Sequence, residues 1–292
     1  MKKIRFIINP KSGTGKSKNL TALIYSEIDK NIFETDIAFT QAQGHACELA
    51  KEAVALKYDI VVAVGGDGSV NETAGSLINT STSLGIIPTG SGNGMARHLK
   101  VPVDTKKALA NINTGKVDTI DTLEVNNRFC IGTIGIGFDA HIAHLFAHAG
   151  KRGYSTYVKL VLTEFASYKE KRFVILVDGK SYERDCFLLT IANSSQFGNN
   201  AVIAPFADVK DGIIDISAMK RFPFYVAPSL IYRLMHNTIH LSRYFELLKG
   251  REIIIKNNVE LQGHIDGEPV LFNSDLNISI HRDSLKVIIP AI

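Results

Sequence analysis

Through the first third of the chain, short apolar runs alternate with longer segments in which apolar residues recur every three or four positions. Residues 4–8 read as a buried strand, and Leu20, Leu23, Ile24 and Ile28 stand at helical spacing within residues 17–29. Residues 36–39 read as a second strand, and residues 44–56 as a helix with Ala46, Leu49, Ala50 and Ala53 on one face. The strongest strand signal is at residues 59–64, followed by a helix from about 70 to 78 and a strand at 84–87. Strands alternating with helices predict a parallel sheet. Ligands of such sheets bind beyond the carboxyl ends of the strands. The three loops that follow strands here, Asn9-Pro10-Lys11-Ser12-Gly13, Gly65-Gly66-Asp67-Gly68-Ser69 and Pro88-Thr89-Gly90-Ser91-Gly92-Asn93, are therefore expected at one edge.

Beyond about Ile120 the pattern becomes strand-rich, with runs at residues 128–134, 172–177, 186–192, 213–219, 252–256 and 276–280. One helical stretch, residues 154–168, interrupts them. This predicts a second, mostly antiparallel β domain over residues 121–292 after an α/β domain over residues 1–120, with the last strand available to return to the first. No repeat or low-complexity segment is present.

A length of 292 residues accommodates two cores, and 45% hydrophobic with 21% charged residues marks an ordinary folded chain. The +4 charge comes from 33 basic and 29 acidic residues spread without a long basic tract, which argues against nucleic acid as a partner. Cys47, Cys130 and Cys186 are odd in number and far apart, so neither a disulfide framework nor a zinc spacing is expected, and a reducing cytoplasm fits. The N-terminal apolar stretch is too short for a signal-peptide core, and no other run approaches the ~18 residues of a membrane helix. Contact with lipid would come from the surface.

The Gly65–Ser69 loop couples a buried strand to a helix start. Glycines let backbone approach a phosphate, helix-start amides point toward negative charge, and Asp67 can organise Mg²⁺ or accept a proton. A tight turn with a solvated Asp is the plain alternative for this loop alone. Two further loops of small residues and hydroxyl or amide donors point to a polyphosphate. Gly13-Thr14-Gly15-Lys16-Ser17 ends like a Walker A loop but lacks its leading glycine. Gly135-Ile136-Gly137 resembles a dinucleotide fingerprint without the βαβ context, and a tight chain crossing is expected there. Asp208-x-x-Asp211-Gly212 reads either as a hard-cation ligand pair or as an Asp-Gly turn. Asp266-Gly267-Glu268 reads either as an acid–base pair or as a solvated turn. Residues 220–235 combine basic and aromatic residues with an apolar stripe, as either an interfacial segment or a helix packed on the sheet domain.

Taken in order, these motifs, with Asn71-Glu72 and Gly135-x-Gly137-Phe138-Asp139-Ala140, resemble the diacylglycerol kinase catalytic-domain family over essentially the whole chain. That family includes sphingosine, ceramide and bacterial lipid kinases. The resemblance implies a Rossmann-like, phosphofructokinase-like parallel-sheet domain and an antiparallel β-sandwich domain with an interdomain nucleotide cleft. It implies an ATP-dependent, Mg²⁺-dependent transfer of the γ-phosphate to the hydroxyl of a lipid such as diacylglycerol, by a cytoplasmic protein meeting the membrane peripherally; a homodimer is left open. By carry-over, Asn9, Pro10, Lys11, Ser12, Gly13, Thr40, Gly66, Asp67, Gly68, Ser69, Val70, Asn71, Glu72 and Ser91 touch ATP. Asp208, Asp211 and the carbonyl of Ile213 form a structural Mg²⁺ site. Asp266 accepts the hydroxyl proton, Glu268 is its partner, and Asp67 organises the catalytic Mg²⁺. Ser69 replaces the usual Thr and keeps its hydroxyl, whereas Gly94 stands where an acid is commoner. The competing readings are an NAD kinase-like enzyme with a soluble acceptor and a non-catalytic nucleotide sensor.

Overall fold

The computed structural model describes residues 1–12, 17–149 and 154–291, and the chain divides into two compact units, Met1–Thr122 with Arg282–Ile292 and Leu123–His281. The first unit runs β1 (Lys2–Ile8), α1 (Ser17–Glu27), β2 (Phe33–Phe39), α2 (His45–Ala55), β3 (Ile60–Gly65), α3 (Asp67–Gly75), β4 (Ser83–Pro88), α4 (Gly94–His98), α5 (Thr105–Thr114) and the start of β5 (Lys116–Val125). β2, β1, β3 and β4 lie parallel in that order. Every residue of β3 and β4 is buried, as expected of parallel strands covered on both faces. α2 seals one stretch with Ala46, Ala50 and Ala53, small side chains that let the helix sit close. Arg5, the charge inside β1, is only 7% exposed and is held by Asp36 at 2.6 Å, Glu52 at 3.2 Å and the face of Tyr58.

The second unit continues with β6 (Arg128–Cys130), β7 (Thr133–Gly137), α6 (Phe138–His148), α7 (Tyr154–Ser167), β8 (Lys171–Val177), β9 (Lys180–Cys186), β10 (Leu188–Ala192), β11 (Ile214–Met219), α8 (Ala227–Met235), β12 (Phe245–Gly250), β13 (Glu252–Ile255), β14 (Leu261–Ile265), β15 (Glu268–Phe272) and β16 (Leu276–Ile289). β12, β11, β10, β7, β14 and β15 form one antiparallel sheet, and β16, β13, β8 and β9 pair antiparallel in another. Alternate residues of the two sheets, such as Ile134, Ile136, Leu189 and Ile191 against Phe173, Ile175, Ile253 and Ile278, fill a shared core, so this unit is a β-sandwich. The far face of the first sheet carries a second core of Phe138, Phe165, Phe187 and Phe222 under α6 and α7. The C-terminal part of β16 pairs with β4 in the first unit, Val287 opposite Leu84.

Besides the helix at 154–168 and the helix offered as one reading of residues 220–235, the described residues hold α6, which the patterning does not predict. α6 is rich in Ala and His and shows no clear polar stripe, and α8 exposes apolar residues that blur its inner face. The Gly135–Gly137 stretch, expected as a tight chain crossing, is the end of β7, packed closely against its neighbours and passing directly into α6. The run at 128–134 is split at Ile131-Gly132, and the run at 186–192 belongs to two strands that part at Phe187. No described helix is long and apolar enough to cross a membrane.

Buried acids of this second unit make its stability pH-dependent. Burial pushes the Cys186 thiol up to about 12 and, with the nearby Asp139 charge, the Tyr168 hydroxyl up to about 12. Burial, then the adjacent Asp266 charge, lifts Cys130 well above the thiol range. All three hold their protons more tightly folded than unfolded, so their stabilisation is complete below roughly pH 8.5 and is lost as pH rises toward about 12. Urea midpoints followed by circular dichroism are expected to be level at neutral pH and to fall steeply above about pH 9. Midpoints that rise or stay constant there would contradict this assignment.

Candidate active site

In the first unit, the parallel order brings the carboxyl ends of β1, β3 and β4 to one edge. The loops that leave them are locked together. Asn9 Nδ2 donates to Ser69 Oγ at 3.3 Å, Ser12 Oγ donates to the Asn9 carbonyl at 2.8 Å, and the Ser12 and Thr89 hydroxyls lie 2.8 Å apart. The Thr89 amide donates to the Gly65 carbonyl at 2.8 Å. Gly66 and Gly90 touch backbone to backbone, since a Cβ on Gly90 would stand 2.5 Å from the Gly66 Cα. Asn93 closes the third loop on itself, accepting from the Gly90 amide at 3.0 Å and donating to its carbonyl at 2.8 Å. To do so it takes a left-handed backbone, φ 54, which Asn tolerates better than most residues. The Asn93 amide in turn donates to Asp67 Oδ2 at 2.9 Å.

α3 starts at Asp67 with Gly66 as its cap residue and no side-chain cap on its first amides. Those amides and the positive end of the helix dipole suit an anion. Val70 is buried beneath this turn, and Glu72 reaches from α3 to accept from the Gly44 amide at the start of α2 at 2.9 Å. Thr40 lies next to the first loop, its amide donating to the Ile8 carbonyl. Pro10, Lys11 and Ser91 are exposed on the loops, and Gly68 and Asn71 are half-buried on α3. Gly13 and the Walker-like stretch through Lys16 lie outside the described residues. Gly94 is buried as the first residue of α4.

In the second unit, Asp266 and Gly267 form the tight turn between β14 and β15, both with positive φ, 49 and 84, as a two-residue hairpin of this type requires. The Asp266 carboxylate does not point loosely into solvent. It accepts from the amides of Ile131 at 2.9 Å and of Gly132 and Thr133 at 2.8 Å each. The break between β6 and β7 is what turns these three amides onto one carboxylate, fixing its orientation. Glu268 is exposed at the first position of β15.

Beside the hairpin, His264 Nε2 lies 3.1 Å from Asp139 Oδ2, both nearly buried. The Gly267 amide donates to His264 Nδ1 at 3.4 Å, which leaves Nε2 as the donor toward Asp139. Gly135 is glycine because a Cβ there would overlap both the imidazole and the Asp139 carboxylate. The Gly135-x-Gly137 spacing thus serves packing. Gly135→Ala is expected to lower stability by roughly 2–4 kcal/mol, read as a fall in Tm, and an unchanged Tm would contradict the packing.

Asp208 and Asp211 stand in one exposed turn before β11. Asp208 Oδ1 accepts from the Lys210 amide at 3.1 Å and Asp211 Oδ1 from the Ile213 amide at 2.9 Å. One strand position beyond Ile214, fully buried Asp215 bonds Lys249 through Oδ2 at 3.1 Å, while its Oδ1 has no partner. Burial pushes the Asp215 carboxyl up against the opposing pull of Lys249, and the Asp211 charge adds to the rise. Among the described residues no group of three or more His, Cys, Asp or Glu side chains is placed to hold a metal. The turn offers hard oxygen donors of the type Mg²⁺ takes, with one oxygen of each carboxylate engaged by an amide of the turn.

Sequence reasoning did not assign roles to Thr89, Asn93, Asp139, His264 or Cys130. Thr89 and Asn93 lie inside a loop the sequence does single out. The Asp139–His264 pair spans 125 positions and leaves no local signal.

The family model for the diacylglycerol kinase catalytic domain matches residues 3–125, and that for the YegS C-terminal NAD kinase β-sandwich-like domain matches residues 132–289. The chain is 27% identical over 277 residues to the diacylglycerol kinase of Bacillus subtilis strain 168, covering 92% of this chain and 90% of that one. It is 28% identical over 266 residues to a protein of Pseudomonas syringae pv. syringae B728a named as a probable lipid kinase, YegS-like, covering 90% and 86%. A diacylglycerol kinase crystal structure from Bacillus anthracis str. Sterne shares the fold with a TM-score of 0.73 at 22% identity, over 99% of this chain and 97% of that one.

Proposed function

This chain belongs to the diacylglycerol kinase catalytic-domain family and is a lipid kinase, and on that footing we propose that it transfers the γ-phosphoryl group of ATP to the hydroxyl of a lipid such as diacylglycerol. The observation that carries the donor half is the contact of three loops at one sheet edge, where two glycine backbones touch beside a helix start without a side-chain cap. Glycine amides, the Asn9 and Ser12 side chains and the α3 terminus bind the triphosphate. Thr40, Asn71, Glu72 and Ser91 border it. Asp67 would organise the catalytic Mg²⁺, which when bound neutralises phosphate charge, and the Asp208–Asp211 turn with the Ile213 carbonyl would hold a separate, structural Mg²⁺.

On the acceptor side, Asp266 takes the proton of the lipid hydroxyl as its oxygen bonds to the γ-phosphorus and the bond to the bridging oxygen of ADP breaks, with Glu268 as its partner. Three backbone amides hold the Asp266 carboxylate at one angle, which is the positioning such catalysis requires. The protein works in the cytoplasm and meets its acceptor at the membrane surface. Mass spectrometry of mixed micelles holding a panel of lipid alcohols tests this. One acceptor gaining a single phosphate, only with ATP and Mg²⁺ present, is expected; turnover that persists in chelator would refute the metal requirement.

A further inference from the structure

α8 buries Leu230 and rests Ala227 and Leu234 against the aromatic core, which accounts for one face. Its opposite face is also apolar: Ile231, Tyr232 and Met235 stand outward, with Tyr232 62% exposed. The single 3₁₀ turn before it, Phe224–Val226, exposes Phe224 and leaves Tyr225 80% exposed, and Leu241 after it is 64% exposed. A helix apolar on both sides belongs in an interior or in lipid, and this protein covers only one side. Next to it, a groove of about 650 Å³ runs between Leu162 and Phe165 of α7 and the segment Phe222-Pro223-Phe224.

Within the segment that carries this surface the charge has one sign, and the nearby acids Glu170 and Glu246 belong to other elements. From position 220 to position 244 the chain carries Lys220, Arg221, Arg233 and Arg243 and neither Asp nor Glu. The Arg221 guanidinium lies over the rings of Phe165 at 4.7 Å and Phe187 at 5.0 Å, and Glu170 accepts from its backbone amide at 3.2 Å. Exposed aromatic and aliphatic side chains with a rim of Lys and Arg match the boundary between head groups and acyl chains of an anionic bilayer.

We propose that the Phe224–Val226 turn and the outer face of α8 dock on an anionic lipid bilayer, with Phe224, Tyr225, Ile231 and Tyr232 in its interfacial layer. The choice of occupant rests on the lipid-kinase reading. A second copy of the chain is the disfavoured occupant, because a two-fold contact would gather the four cations of each copy at one interface with no acid of the segment to pair them.

The chain has no tryptophan, so Tyr225→Trp gives a single reporter at the centre of the surface. With phosphatidylcholine vesicles containing phosphatidylglycerol, its emission shifts to the blue and is quenched by brominated acyl chains; with phosphatidylcholine alone the shift is weaker. The Tyr225→Ser/Ile231→Ser variant, changed at two exposed positions, loses at least about tenfold in vesicle partition. It keeps wild-type Tm and wild-type turnover of a short-chain, water-dispersed lipid alcohol. Vesicle binding with unmoved tryptophan emission overturns the proposal, since another face would then dock. So does a wild-type dimer in ultracentrifugation that the variant converts to monomer. The outcomes are separable from the catalytic reading: vesicle binding without lipid phosphorylation supports the docking face and sinks the kinase proposal, whereas turnover of the dispersed acceptor without vesicle binding does the reverse.

Discussion

Asp266→Asn is expected to lower kcat for phosphate transfer by about 10²- to 10⁴-fold, the usual contribution of a positioned proton acceptor. The substitution keeps the shape of the side chain and removes its ability to take a proton. It also has a structural cost that can be separated. The oxygen retained by Asn can still accept from the Gly132 and Thr133 amides, but the new NH₂ group faces the Ile131 amide, donor against donor. Leaving that buried amide unpaired costs about 1–3 kcal/mol. Tm is therefore expected to fall while the protein stays folded at assay temperature, and kcat per folded molecule carries the catalytic effect. Glu268→Gln is a useful companion, because Glu268 is exposed on β15 and takes no part in this three-amide clamp. It is expected to lower kcat with little change in Tm. Wild-type kcat in folded Asp266→Asn would leave Asp266 as the clamp of the hairpin alone.

The second large effect is expected from Gly90→Ala. An added methyl would stand 2.5 Å from the Gly66 Cα and 3.0 Å from Asn93 Oδ1. The first of these neighbours is backbone and cannot rotate away, so the third loop must move. Its amide bonds, Thr89 to Gly65 and Gly90 to Asn93, move with it. Displacement of about 1 Å in a positioning group costs about 10²-fold in rate, and kcat/KM for ATP is expected to fall by at least that much. Near-wild-type kcat/KM would mean that the Gly66–Gly90 contact is not part of the donor site.

The loop cluster proposed as the donor site was legible in the sequence for a simple physical reason. Parallel strands buried on both faces are continuous apolar runs, and their carboxyl ends must share an edge, so the loops at Asn9, Gly65 and Pro88 could be grouped before any coordinates. The acceptor half was legible only as motifs. Nothing in the string Asp266-Gly267-Glu268 reveals that three amides 133 to 135 positions earlier close on its first carboxylate. The tight crossing expected at Gly135 is explained by His264, brought in by strand pairing, and by Asp139 in the first turn of α6. α6 escaped the patterning because it has no polar stripe opposite an apolar one, whereas α8 was legible only as one of two readings of residues 220–235. The two readings of α8 are compatible, since Leu230 is buried on its inner face and the exposed Ile231 and Tyr232 belong to the surface assigned to lipid.

The most direct test of the account offers both acceptors in one vessel: ATP labelled at the γ position, Mg²⁺, mixed micelles of diacylglycerol and related lipid alcohols, and NAD. The account predicts label in the chloroform phase, dependent on protein and lost in Asp266→Asn, with NAD left unphosphorylated. Label that enters NAD while the chloroform phase stays blank would contradict it.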